Sequence, residues 1–554
     1  MKKIIALLLV TALLASLLSG CCMTNSLLDK IIMSEEILGN ILEESTAEKV
    51  DGSDISALQY ALDQDMIDLF YQRLEEAEEL SVSGDDLAAA EEMIALLDEV
   101  YMELVDQYQI SYVQYCLDQS DEEMKQRYLD SVDIYTEAEA DYNAMCKRVY
   151  LSDTPIKDEL FADWTEKDIA MLLAYNDEIA QLEKRNSEIT VEYRDLDPDA
   201  MNENMIPLYN ELVRNNNRIA EIYGYDNYYV YAYEMVYQRD YEPDMVQRMR
   251  QYTARYLVDA CQLASERFDE VYYDLDYDQQ TELSDLIYSA YDQLDENYVQ
   301  LYIDSMPESS QEMMNDMLQR NRAVFTEYHN AYEGAFTTWI DGEPFCFFGP
   351  GYTGSETVIH ELGHYYGSMY VEPWAQPMDL SESQSQGNEW MYIHFLKQKL
   401  TPEMYQAVSE YRMSSDIAYI IGFVMVDQFE EAVYCHENAG NLTLEEYDGL
   451  MEAVAENYGG IDWVAENVMD MQLYWKMVVL ESPVYYISYA VSAIAAVNLF
   501  LIAEEDRAYA EQCYCILMEQ TADTQGFMES IYLAGLAGPF EETVYEKIYL
   551  RYGK

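Results

Sequence analysis

The sequence predicts a mainly α-helical protein, built as two lobes or as one large fold of several parts. Its 554 residues exceed one ordinary compact domain. Half of the residues are hydrophobic, which is enough for a sizeable core, and only 12 Pro and 22 Gly disfavour an all-β fold. Apolar residues recur at steps of three and four between positions 57 and 189, as at Leu87, Ala90, Ile94 and Leu97. This spacing marks one face of a helix and predicts an N-terminal lobe of successive helices.

The chain is strongly acidic, with 31 Lys+Arg against 106 Asp+Glu and a formal net charge of −75. Such a surface repels phosphate backbones, which excludes nucleic acid as a partner, and it repels anionic lipid headgroups. Cationic ligands are attracted instead. The acidity also serves to keep an exported protein soluble, so the charge by itself does not select a ligand.

Residues 1–20 are predicted to be a lipoprotein signal peptide. A basic start at Lys2 and Lys3 precedes an apolar run over residues 4–18, which is too short for a normal membrane span. Residues 18–21, Leu-Ser-Gly-Cys, resemble a bacterial lipobox. The resemblance implies that Cys21 carries a lipid and holds the protein at the outer face of the cell membrane, although one acyl chain alone binds only weakly. An ordinary signal peptide with a chance cysteine is the alternative.

One β-hairpin stands out among the helical patterns. Ala335–Ile340 is rich in aromatic and β-branched residues, Asp341-Gly342 has the composition of a turn, and Pro344–Phe348 follows as a second strand. A glycine-containing loop over residues 349–354 leads on to the next helix. The apolar stretch 488–503 has the length of one buried helix, and we do not expect it to span a membrane.

The chemistry is concentrated in His360-Glu361-Leu362-Gly363-His364. Residues four apart share one face of a helix, so both imidazoles can bind one ion. Glu361 then lies within reach of a metal-bound water, whose proton a carboxylate can accept. The chain has only five His, which makes this spacing improbable by chance. Either Ser355 or Thr357 is expected to cap the start of this helix.

A catalytic zinc ion needs a third protein ligand. The acidic candidates downstream are Glu372, Asp379, Glu382 and Glu389. Asp379 has the character of a cap for a helix over residues 380–400, which would place Glu382 in the first turn and Glu389 about two turns further on. His329, His394 and His436 have no ligand spacing, and the other cysteines form no zinc ribbon or disulfide framework.

The stretch from Gly334 to Leu396 resembles the oligoendopeptidase F and thimet oligopeptidase family of zinc metallopeptidases. The aromatic strand, the glycine loop, the His-Glu-Leu-Gly-His motif and the segment Ser381 to Glu389 occur in that family's order. Residues 218–228 and 482–490 resemble a helix end and a C-terminal tyrosine segment of the same family. Together these similarities extend over about residues 200 to 554.

The resemblance implies a fold and a set of site residues. It implies a mainly α-helical, two-lobed, zincin-like body with a small sheet beside the metal helix and a central channel. It assigns the third ligand to Glu382, with Glu389 as the remaining alternative. Tyr489, or as second choice Tyr485, would donate to the oxyanion. The family's His ahead of this segment is absent from residues 475–482.

The predicted organisation is a tether and first helix over residues 21–54, an N-terminal helical lobe over 55–200 and a catalytic domain over 201–554. We expect a zinc endopeptidase that hydrolyses short, preferably cationic oligopeptides. Phe345, Cys346 and Phe347 would lie on the strand that pairs with the extended substrate. A zinc carboxypeptidase or dipeptidase and a non-catalytic peptide-binding lipoprotein are the alternatives, and the oligomeric state stays open.

Overall fold

A computed structural model describes most of the chain, and the following account is confined to the residues that it places: 50, 52, 55–83, 86–162, 164–194, 196, 201–288, 298–306, 308–319, 322–369, 377–519 and 526–552. The predicted signal peptide, Cys21, most of the tether and Glu372 lie outside these residues.

The N-terminal part is helical, as its periodicity predicts. Its longest helices are capped by aspartates: Asp86 accepts a hydrogen bond from the N–H of Ala89, and Asp121 from the N–H of Met124. The α-helices of this part are Gln64–Ser83, Leu87–Leu117, Glu122–Leu151, Lys157–Leu160, Glu166–Ala174 and Asp177–Arg194.

A second series of helices leads to the sheet. The first of them ends at Ile222, close to the helix end expected from residues 218–228, and Gly224 follows with a φ of 88°. These α-helices are Met201–Ile222, Tyr228–Tyr231, Pro243–Tyr252, Val258–Asp274, Tyr277–Tyr288, Tyr298–Ile303 and Glu308–Leu318, with π-helical turns at Ala232–Val236 and Thr253–Leu257.

The predicted hairpin is confirmed, and a third strand joins it. Strands β1 (Ala323–Phe325), β2 (Ala335–Ile340) and β3 (Glu343–Phe348) form a sheet in the order β1-β3-β2. β2 and β3 are antiparallel, and β1 and β3 are parallel. Asp341 and Gly342 both have positive φ, which suits a two-residue hairpin turn.

The position of β3 corrects one expectation. β3 is the middle strand, so its backbone is paired on both sides, and the side chains of Phe345, Cys346 and Phe347 are fully buried. A strand without a free edge cannot add a substrate strand. These three residues are therefore part of the core of the sheet, and the prediction that they bind substrate is wrong.

Three helices after the sheet build the candidate site. The motif helix is Ser355–Ser368, the glutamate helix is Met378–Leu396, and the arginine helix is Pro402–Tyr434. The expected caps are absent: Gly354 and Pro377 occupy the N-cap positions, and neither makes a side-chain cap bond. Asp379 instead lies one residue inside the glutamate helix. The remaining α-helices are Leu444–Ala455, Ile461–Asn467, Met471–Val478, Ile487–Glu505, Arg507–Met518, Phe527–Leu533 and Glu542–Tyr552.

Two hydrophobic cores lie on opposite faces of the sheet. One combines the N-terminal helices with Phe336, Phe345 and Phe347. The other extends over the rest of the described chain and includes Cys346 and Phe348 from the opposite face of β3. Because side chains alternate along a strand, each core receives every second residue of β3.

The apolar helix Ile487–Glu505 is a core helix in the fold. It is the one helix among the described residues that is long and apolar enough to cross a membrane, but 83% of that stretch is buried inside the protein. It packs against the glutamate helix and the arginine helix. All seven cysteines in the described residues are free thiols, and Cys435 and Cys515 are exposed.

Candidate metal centre

Three predicted ligands converge in the structure. Their ligand atoms all lie within 4.8 Å of one another, and all three side chains are buried. One carboxylate oxygen of Glu382 is 3.5 Å from Nε2 of His360 and 3.6 Å from Nε2 of His364. Nε2 of His360 is buried and has no hydrogen-bond partner. Two imidazoles and one carboxylate that share a focus suit a zinc ion with an open coordination position.

Close packing of two helices produces this convergence. A Cβ added at Gly363 would lie 2.5 Å from Cα of Ser385, and one added at Gly367 would lie 2.3 Å from Oε1 of Gln384. A side chain at Gly363 would force the motif helix away from the glutamate helix, because the atom that it meets is backbone, whereas one at Gly367 would displace the Gln384 side chain. Nδ2 of Asn388 also donates to the carbonyl oxygen of Ile359 at 2.8 Å and ties the two helices together.

The second nitrogen of each imidazole is also engaged. Nδ1 of His360 is 2.6 Å from Oε1 of Glu389, and Nδ1 of His364 is 3.0 Å from Oγ of Ser381. A proton held at Nδ1 leaves Nε2 as the metal-binding nitrogen. In this arrangement Glu389 therefore contacts the side of His360 that faces away from the cluster, while Glu382 occupies the third ligand position.

Arg412 extends this support into the arginine helix. Its guanidinium pairs with Glu389 and, at 2.9 Å, with Asp416, which accepts a 2.8 Å hydrogen bond from the indole N–H of Trp390. Sequence reasoning missed Arg412 because its contact with Glu389 joins positions 23 residues apart on different helices. A buried Arg in a sequence rich in acids is a weak signal by itself.

The electrostatics of the cluster favour a cation. Burial lowers the pKa of His360, but the nearby Glu382 carboxylate and the hydrogen bond to Glu389 outweigh it and raise the pKa to about 10. Burial raises the pKa of Glu382, but the charge of His364 and the contact with His360 hold it well below its usual range. The carboxylates thus create a local excess of negative charge, which a dication neutralises.

Glu361 lies beneath the sheet in the position expected of a base. The hydroxyl of Thr337 in β2 donates to Oε2 of Glu361 at 2.6 Å, and Oε1 is buried without a hydrogen-bond partner. Burial raises the pKa of Glu361, against the opposing effect of the two His. Sγ of Cys346 lies 3.2 Å from Oγ1 of Thr337. β2 therefore orients this carboxylate, a role that its sequence does not reveal.

The two candidate tyrosines, whose ring centroids are 5.1 Å apart, have different surroundings. The hydroxyl of Tyr485 donates to Oε1 of Glu382 at 2.5 Å. Tyr489 lines a small cavity of about 50 Å³ together with His360, Tyr474 and Tyr486. The hydroxyl of Tyr474 is buried and has no hydrogen-bond partner. Tyr485 thus contacts a predicted ligand, whereas Tyr489 and Tyr474 face a cavity beside His360.

A strained backbone precedes Tyr485. Val484 has a φ of 62°, a conformation that β-branched residues rarely adopt. Its N–H donates to Glu430 at 2.8 Å, and its carbonyl accepts from Arg239 at 2.9 Å. The Arg239 guanidinium lies 4.3 Å and 4.4 Å from the ring centroids of Tyr233 and Tyr237. These buried contacts hold the tyrosine segment (residues 482–490) in place against its strain.

Comparison with known proteins supports the fold assignment. Neither protein-family models nor curated protein sequences match the chain. Among solved structures, PZ peptidase A with inhibitor 2 is 18% identical, with a TM-score of 0.69 over 91% of this chain and 99% of that one. Oligoendopeptidase-F from Enterococcus faecium is 12% identical, with a TM-score of 0.52 over 88% and 96% of the two chains.

A carboxypeptidase shares the fold as well. M32 carboxypeptidase from Deinococcus radiodurans R1 is 12% identical, with a TM-score of 0.52 over 88% of this chain and all of that one. The chain therefore has the helical, zincin-like fold of the oligoendopeptidase F, PZ peptidase and M32 carboxypeptidase structures, as the resemblance of its metal motif predicts.

Proposed function

We propose that the protein is a zinc-dependent endopeptidase that hydrolyses internal bonds of short oligopeptides. The observation that carries the proposal is the focus of His360, His364 and Glu382 beside a buried Glu361, within a fold shared with metallopeptidases. A bound zinc ion would supply Lewis acidity and lower the pKa of water towards neutrality.

We assign the other catalytic roles to the side chains around the three candidate ligands. Glu361 accepts the proton of the attacking water and passes it to the leaving amine. Tyr489 donates to the oxyanion, and Tyr474 is a second donor that faces the same cavity in place of the family's missing His. Tyr485 holds Glu382. β2, one of the two edge strands of the sheet, takes the place of β3 as the strand with which an extended substrate pairs.

The test is hydrolysis of an end-blocked, internally quenched peptide mixture by the zinc-loaded protein. We expect internal cleavage, which Glu361→Gln and a chelator each abolish. Glu333→Gln, which makes the same change at an exposed position just before β2, should retain full activity. A parent protein that binds one zinc ion and cleaves nothing, blocked or unblocked, would refute the peptidase proposal and favour a peptide-binding protein.

A carboxypeptidase is the second candidate, because the fold is shared with M32 carboxypeptidase. Such an enzyme requires a free carboxyl end. It would leave end-blocked peptides intact and release single residues from unblocked ones. Product analysis by mass spectrometry on matched blocked and unblocked peptides distinguishes the two modes.

We also propose export and anchoring through a lipid on Cys21, which places the activity at the outer face of a bacterial membrane. The sequence features of residues 1–21 support this proposal. A Cys21→Ser variant should appear in the soluble fraction, whereas the parent should sediment with membranes. Equal distribution of the two proteins would contradict the anchor.

A further inference from the structure

A second, larger cavity lies between the N-terminal helices and the tyrosine segment. Its volume is about 170 Å³, roughly ten times what one water molecule needs. One wall comes from the helices Glu122–Leu151 and Asp177–Arg194. The opposite wall contains Leu480, Glu481 and Pro483. Because Tyr485, which contacts Glu382, follows two residues after Pro483, the cavity is joined to the candidate metal centre through this segment.

Two carboxyl groups without cationic partners line the cavity. Glu139 is only 6% exposed, and within the described residues neither it nor Glu183 forms an ion pair with Lys, Arg or His. Burial raises the pKa of Glu183 to about 8, and burial together with the charge of Glu183 raises that of Glu139 well above its usual range. Arg194, the cationic residue of the lining, already pairs with Glu481 at 2.7 Å. Both shifts favour the neutral, protonated carboxyl groups, and a cation bound beside them would favour the ionised forms instead.

Seven tyrosine rings contribute to the wall of the cavity. Tyr223 and Tyr231 stack with centroids 5.4 Å apart, and Tyr108 and Tyr135 stack at 5.2 Å. The hydroxyl of Tyr175 is buried and has no hydrogen-bond partner. Aromatic faces combined with carboxylates are the surroundings that bind organic cations, since ring quadrupoles and negative charge both attract them.

We infer that this cavity binds the cationic side chain of a lysine or arginine in the peptide substrate. The inference rests on the proposed peptidase function and specifies its substrate class. An organic cation is favoured over a metal ion because seven tyrosine rings line the cavity and its volume of about 170 Å³ is far larger than a single ion fills. A peptide side chain is favoured over a free amine because the cavity wall at Leu480, Glu481 and Pro483 is followed directly in the chain by Tyr485, which contacts Glu382 of the candidate metal centre.

Binding to a zinc-loaded Glu361→Gln protein tests the inference without turnover. End-blocked hexapeptides carry Lys, Arg, Gln or norleucine at each position in turn, and calorimetry measures their affinities. At one position we expect Lys or Arg to bind on the order of thirtyfold tighter than norleucine, which has a similar length without the charge. Equal affinity at all positions, with the parent cleaving both peptides, would overturn the cavity assignment and leave the peptidase proposal intact.

Substitutions of cavity residues test whether the preference for Lys arises in this cavity. Glu139→Gln and Glu183→Gln should each reduce the preference for Lys at least fivefold. Glu137→Gln, an exposed change on the same helix as Glu139, should leave it unchanged. Glu183→Lys places a tethered cation in the cavity and should remove the preference while the affinity for the norleucine peptide is retained. The Glu183→Lys variant keeps the test valid if Glu139→Gln does not fold.

Binding of a free organic cation, spermidine, is the last part of the experiment. If spermidine binds in a Glu183-dependent manner and no peptide shows a charge preference, the cavity takes a free amine and the assignment to a peptide side chain is wrong. If neither spermidine nor any peptide binds, the cavity assignment fails. The peptidase proposal fails with it only if the parent also cleaves none of the peptides.

Discussion

Replacing Gly363 with alanine tests whether the close approach of two helices builds the metal centre. The new Cβ would lie 2.5 Å from Cα of Ser385 and 3.2 Å from Cβ of Asn388, whereas ordinary contact begins at 3.4 Å. The shortfall of about 0.9 Å falls on backbone, which cannot rotate away. The motif helix must therefore move relative to the glutamate helix, which carries Glu382.

Two opposing effects determine how much stability the Gly363→Ala variant loses, and a third determines how much its zinc affinity falls. Alanine improves helix propensity by about 1 kcal/mol, but overpacking costs about 1–3 kcal/mol. The net loss of stability is at most about 2 kcal/mol. Metal ligands tolerate deviations of only about 0.2 Å, so a shift several times larger should weaken zinc binding at least tenfold.

Two quantities are measured. Competition with a chelator gives the zinc affinity, and thermal unfolding gives the stability. Gly449→Ala is the matched control, because this exposed helical glycine has nothing within 4 Å of its added Cβ. The control should gain about 0.5–1 kcal/mol of stability and bind zinc like the parent. If Gly363→Ala matches the control in both measurements, helix packing does not set the geometry of the site.

Three further predictions concern substitutions that remove a carboxylate charge or a hydroxyl hydrogen-bond donor. Glu389→Gln should weaken zinc binding tenfold to a hundredfold in chelator competition, because His360 loses the carboxylate at Nδ1. Tyr489→Phe should lower kcat about a hundredfold with unchanged zinc affinity, whereas Tyr485→Phe should weaken zinc binding, because its hydroxyl donates to Glu382. Glu504→Gln should destabilise the protein by about 1 kcal/mol at pH 7, and the difference should shrink below pH 4.5.

The pH dependence of the last prediction follows from the direction of the shift. The imidazole of His394 and hydrogen bonds from Lys397 and Tyr405 lower the pKa of Glu504 from 4.5 to about 2, although burial opposes them. A lowered pKa stabilises the fold above the unfolded value of 4.5, and this stabilisation is lost as the pH falls towards 2. Glu505→Gln, the exposed neighbour, serves as the control in urea unfolding; an equal effect of both variants would contradict the linkage.

The hairpin and the pairing of His360 with His364 were predictable because they depend on local spacing. Alternation and turn composition define β2 and β3, and the i, i+4 step places both imidazoles on one helical face. Glu382 required the family resemblance, since spacing left four acidic candidates open. The glutamate helix begins at Met378, two residues earlier than expected, so Glu382 is its fifth residue and lies just beyond the first turn in which it was predicted.

Features that depend on packing between distant segments were not predictable. β1 has three residues and pairs in parallel with β3, so no local pattern reveals it or the middle position of β3. Asp379 was expected as a cap, but the helix begins at Met378, and Asp379 is buried 3.8 Å from Arg239. The support of His360 through Arg412 similarly arises only when the arginine helix folds onto the glutamate helix.

The sheet shared by the two hydrophobic cores has a consequence for folding cooperativity. Loss of the N-terminal helices would uncover Phe336, Phe345 and Phe347, and the strand that carries Thr337 would lose the packing that orients Glu361. The two cores should therefore unfold together in one calorimetric transition. A fragment beginning near residue 200 would retain the three candidate ligands in its sequence. Its Glu361 carboxylate, the proposed general base, would no longer be held in a fixed orientation.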